Sequence, residues 1–73
     1  RLVLDFETYY RGKAEVTIFN AIGQKIIVTP IQIIKAHNLI WTDCQNLSAG
    51  TYLLIVLTSS GNQIGKTQKF IVQ

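Results

Sequence analysis

Apolar and polar positions alternate along most of this chain, and no long stretch carries the three-and-four spacing of an amphipathic helix. The pattern predicts an all-β fold. Leu2, Leu4 and Phe6 alternate with Val3, Asp5 and Glu7; beyond Tyr9-Tyr10-Arg11-Gly12-Lys13, Val16 and Ile18 alternate with Glu15, Thr17 and Phe19. Asn20 to Lys25 reads as a turn. Asn20 suits its first position, and Gly23 stands where positive φ returns the chain to a strand through a bulge, so residues 14–28 are predicted to form a hairpin.

Pro30 interrupts the next run, which suits a strand start or a sheet edge, and Ile31-Gln32-Ile33-Ile34 begins a further short extended segment. A turn near Ala36-His37-Asn38 leads into Leu39-Ile40-Trp41-Thr42. Three consecutive apolar residues leave both parities open for Trp41, and size alone favours its burial. Residues 43–50 form a polar connection ending in Gly50. Tyr52 to Leu57 are then hydrophobic at every position, which marks 51–58 as a central strand covered on both faces. Tyr52, Leu54 and Val56 are expected in the core, with Leu53, Ile55 and Leu57 covering its remaining edge or meeting a partner. A turn at 59–62 opens the last strand, in which Phe70 and Val72 share one face and Lys69 and Ile71 the other. The fold expected is a small immunoglobulin-like β-sandwich of about seven short antiparallel strands.

Length and composition narrow the function. A chain of 73 residues makes one small domain that buries only about 60% of the surface its unfolded form exposes. The absence of Met and the start at Arg1 suggest a piece cut from a longer protein. Six consecutive apolar residues are far fewer than the roughly 20 helical or 9–11 strand residues a membrane span needs. The net charge of +3 comes from Lys and Arg residues spread along the sequence, so no basic cluster points to nucleic acid. Tyr9 and Tyr10 beside Arg11 and Lys13 carry the features of a single-strand stacking site, and with them a small oligonucleotide-binding barrel enters as a reading. Adjacent strand residues face opposite ways, however, which leaves one ring packed and one at the surface.

Catalytic chemistry is scarce: one His, one Cys, four carboxylates and no nucleophile elbow. His37 reads as an exposed turn residue and Cys44 as a small buried thiol, with no second cysteine for an intramolecular disulfide. Asp5 and Glu7 share one strand face but lack the further ligands a metal needs. No catalytic residue, metal site or cofactor is expected.

Three segments together resemble a known family. Residues 15–26 (EVTIFNAIGQKI), 43–56 (DCQNLSAGTYLLIV) and 66–73 (KTQKFIVQ) are similar, in order and spacing, to the type A C-terminal sorting domain of the Bacteroidetes type IX secretion system. Phe19, Asn20, Gly23 and Gln24 match the first block of that pattern. Asp43, Leu47, Ala49, Gly50 and Tyr52 match the second, and Lys69, Phe70, Ile71 and Val72 the third. Departures are Cys44 in place of a usual Leu, Ser48 in place of Pro, Ile55 at an often polar or basic position, and Gln73 in place of a terminal Lys.

The resemblance implies a folded, non-catalytic address label that takes an upstream cargo across the outer membrane to the cell surface or beyond. An outer-membrane translocon would read it and a sortase would usually remove it. Lys69, Phe70, Ile71, Val72 and Gln73 are the recognition residues it implies, with Asn20, Gly23, Asp43, Gly50 and Tyr52 as structural motif positions. A last strand at a sheet edge could pair with a translocon component by strand addition, and the same edge permits strand swapping between two copies. An immunoglobulin- or fibronectin-like adhesive or spacer module is the alternative that the strand pattern alone supports.

Overall fold

The turn at Asn20 shows how local chemistry sets the architecture. The Asn20 side-chain oxygen accepts hydrogen bonds from the backbone N–H of Ile22 (3.2 Å) and of Gln24 (2.9 Å), and its amide donates to Gln24 Oε1 (2.8 Å). Gly23 N–H closes the turn on Asn20 O, and Gly23 sits at φ +87°, a region that a side chain disfavours. The strands on either side follow: β2 (Gly12–Asn20) and β3 (Lys25–Ile33) pair antiparallel, and besides the turn at Gly23 the register shifts once more between Ile18 and Phe19, where Ile26 is the extra residue.

The computed structural model describes residues 2–43 and 46–73. Among these, six strands form two antiparallel sheets with no helix. β1 (Leu2–Glu7) pairs with β4 (His37–Thr42), and β3, β2, β5 (Gly50–Thr58) and β6 (Gln63–Val72) follow in that order in a four-stranded sheet. The small all-β sandwich is as expected, with six strands in place of about seven. The difference lies at Pro30, which does not split its segment: β3 runs straight through it. An outer strand tolerates a residue that lacks a ladder donor, so two expected strands are one. Cys44, expected to be buried, lies outside the described residues.

The core fills the space between the sheets. Ala14, Val16 and Ile18 of β2, Ile33 of β3, Tyr52, Leu54 and Val56 of β5 and Ile64 of β6 are buried against Leu4 of β1, with Leu2, Phe6 and Ile40 packed on them from the small sheet. The alternation in β1, β2 and β6 and the parity of Tyr52, Leu54 and Val56 are as the sequence pattern predicts. Three expectations fail. Trp41 stands opposite Val3 on the outward face of the small sheet and is 59% exposed, because Ile40 and Thr42 take the inward positions. His37 begins β4 rather than sitting in a turn, and its Nε2 meets Asp5 Oδ1 across the strand pair. β5 is central but is covered on one face only.

Candidate functional site

The three sequence blocks converge at one end of the four-stranded sheet. The register sets Asn20 opposite Tyr52 and Tyr52 opposite Phe70, so one transverse row crosses β2, β5 and β6. The next row on the opposite face runs Lys25, Phe19, Leu53, Lys69. Residues far apart in the chain thus become neighbours through strand pairing alone.

Each member of the inner row has a clear local cause. Asn20 ends β2 by capturing the turn described above. Tyr52 is buried, and its hydroxyl donates to Ser48 O at 2.6 Å, which ties the loop before β5 to the strand it enters. The bond uses a backbone carbonyl, so Ser in place of Pro at position 48 leaves it intact. Phe70 stacks on Tyr52, ring centroids 5.5 Å apart and planes 22° from parallel, an offset contact of the kind worth about 0.5–1.5 kcal/mol beyond burial. Val72 pairs with Gly50 at the start of β5.

β6 is an edge strand, and its outer side meets no further strand among the described residues. Three residues, Gly65 to Thr67, stand opposite the single residue Ile55, so the strand is bulged midway. Gly65 takes φ +71° there, and Gln63 Nε2 donates to Thr67 Oγ1 across the bulge at 3.0 Å. Beyond it, Gln68 to Val72 pair regularly with β5. Phe70 and Val72 turn inward, while Lys69 and Ile71, the latter 64% exposed, face out. Gln73 follows the strand and is exposed. Between β6 and β1 opens a cleft of about 230 Å³, lined by Leu4, Phe6, Val56 and Ile64, with Asp5 and Lys66 also in its walls.

Of the other singled-out residues, Gly50 opens β5 within the site, whereas Asp43 follows β4 in the small sheet. Tyr9 is fully exposed, while the Tyr10 hydroxyl donates to Lys13 O at 2.6 Å, so the two rings share no stacking platform. Among the described residues no group of three His, Cys, Asp or Glu side chains could hold a metal, and no helix is long and apolar enough to cross a membrane. What this edge offers chemically is a ladder of backbone donors and acceptors beside an apolar cleft.

The sequence model of the Secretion system C-terminal sorting domain family matches residues 1–73, the whole chain. The chain belongs to that family. No curated protein and no solved structure matches it. As a type IX secretion C-terminal sorting domain, it is a member of a family that marks proteins for export to the cell surface or outside, and the family is not a catalytic one. The sorting-domain blocks quoted above therefore gain a structural meaning: Asn20, Gly23 and Gln24 shape a turn, and Tyr52 and Phe70 stack. What sequence reasoning missed is Lys25 at the far end of the Phe19–Leu53–Lys69 row. Its signal was its distance past Gly23, which becomes informative only once the bulge sets the register.

Proposed function

We propose that this domain is read by the outer-membrane translocon of the type IX system through the outer edge of β6, and that Lys69 to Gln73 carry the recognition. The observation that supports this most is that the third family block occupies an edge strand with no strand on its outer side among the described residues. A strand of the translocon component would pair with Gln68 to Val72, and alternate side chains would give selectivity. Apolar side chains of that strand would enter the cleft beside Leu4 and Ile64. The domain is the sorting unit of a longer exported protein, whose upstream part is the cargo, and a sortase usually removes such a domain after passage.

A periplasmic reporter fused upstream of residues 1–73 in a bacterium that owns the machinery tests this. Export is expected for the intact fusion and loss of export on deleting residues 69–73. The exposed pair Lys69→Ala/Ile71→Ala, which leaves the Tyr52–Phe70 stack in place, should reduce export without unfolding the domain. Undiminished export of both variants would reject the reading.

A further inference from the structure

The outer face of the four-stranded sheet is apolar across its width. Ile26 and Val28 of β3, Phe19 of β2, Leu53, Ile55 and Leu57 of β5 and Ile71 of β6 lie on it, and Leu53, Ile26, Val28 and Ile71 are between 38% and 64% exposed. A continuous patch of this kind marks a contact surface rather than ordinary scatter of apolar side chains.

Charge says what it contacts. Lys13, Lys25 and Lys69, distant in sequence, are exposed on this same face by strand parity, two of them at opposite ends of the row Lys25–Phe19–Leu53–Lys69. Glu15 is the only carboxylate that parity places there among the described residues. The outward face of the small sheet, on the far side of the sandwich, carries Asp5 and Glu7 instead. Folding thus separates charge along the line joining the two sheets, and such a molecule approaches a negative surface with its lysine face first. A second copy stacking on this face would oppose lysine to lysine, which disfavours a self-contact. One side of a continuous sheet can meet a planar surface all at once, with the aliphatic side chains entering it and the lysines held at its charged level.

We infer that the outer face of the β3–β2–β5–β6 sheet docks on an anionic phospholipid bilayer surface. This docking goes beyond recognition of β6 and does not depend on it.

The test uses the 73-residue chain and sedimentation with vesicles, either phosphatidylcholine alone or a phosphatidylcholine–phosphatidylglycerol mixture, at low and high salt. Binding to the mixed vesicles is expected to exceed binding to the zwitterionic ones at least tenfold and to weaken with salt. At about fivefold per lysine, Lys13→Gln/Lys25→Gln should cost on the order of 25-fold. Ile26→Ser/Val28→Ser should also weaken binding, and Asp5→Asn/Glu7→Gln on the opposite face should not. Far-UV circular dichroism verifies that each variant keeps its strands. The Lys13, Lys25, Ile26 and Val28 changes leave β6 untouched, so export can be scored on the same proteins to separate this surface from the recognition edge. Equal binding to both vesicle types, or full binding by the lysine variant, would overturn the inference. So would a concentration-dependent dimer in sedimentation velocity that Ile26→Ser/Val28→Ser dissolves, since the face would then belong to a second copy.

Discussion

The two faces of the four-stranded sheet are both rich in apolar side chains, yet only one is covered. Leu54 is 1% exposed beneath the small sheet, whereas Leu53, its neighbour on β5, is 38% exposed on the far side. Ile18 and Val56 on the covered face are sealed; Val28 and Ile71 on the other are open to solvent. The difference teaches that hydrophobicity in this chain has two destinations, a core that holds the fold and a face that is kept for contact. Residue type does not separate them, because the same leucine serves both. The small sheet does, by covering one side only.

Substitutions along β5 and β6 test the distinction directly. Leu54→Ala should have the largest effect, lowering unfolding free energy by about 3 kcal/mol in urea titration, since a fully buried leucine leaves a cavity. Phe70→Ala follows at about 2 kcal/mol, because its ring is half-buried and stacked on Tyr52. Thr17 sharpens the comparison from the opposite direction. Its hydroxyl is completely buried on the uncovered side, between the opposing Val28 and Ile55, with no hydrogen-bond partner. Thr17→Val should therefore raise the midpoint, gaining about 1 kcal/mol. Leu53→Ala is expected to cost only about 0.5 kcal/mol, and a loss equal to that of Leu54→Ala would show that the outer face is part of the core after all.

Parity was readable in the sequence wherever polar residues marked the outside. Asp5 and Glu7 oriented β1, so Leu4 and Phe6 were placed inward from pattern alone, and in β6 the pattern set Phe70 and Val72 on the face opposite Lys69 and Ile71. β5 offers no such marker between Tyr52 and Leu57, and its unbroken apolar run was read as two covered faces. The physical reason is that a buried strand and a contact surface expel water by the same chemistry. Trp41 was misplaced for a related reason: Leu39, Ile40 and Trp41 carry no polar residue to break the tie, and Thr42, which does point inward, is of intermediate polarity. Pro30 looked like a strand end because its missing donor would break an inner ladder, and nothing local reveals that the strand is an outer one. The site was readable only as three blocks in order. Their meeting in the Asn20–Tyr52–Phe70 row depends on register, which the bulge at Gly65 to Thr67 shifts between β5 and β6.

The two-stranded cover has a consequence of its own. A pair of strands is barely stable in water by itself, and β1 joins β4 across an interval of some thirty residues, so each is kept in place only by what lies beneath it. Amide protons of β1 and β4 should therefore exchange with deuterium well before those of β2 and β5, which are bonded on both sides. The molecule would come apart roof first, baring Leu4 and Val16 while the floor still stands.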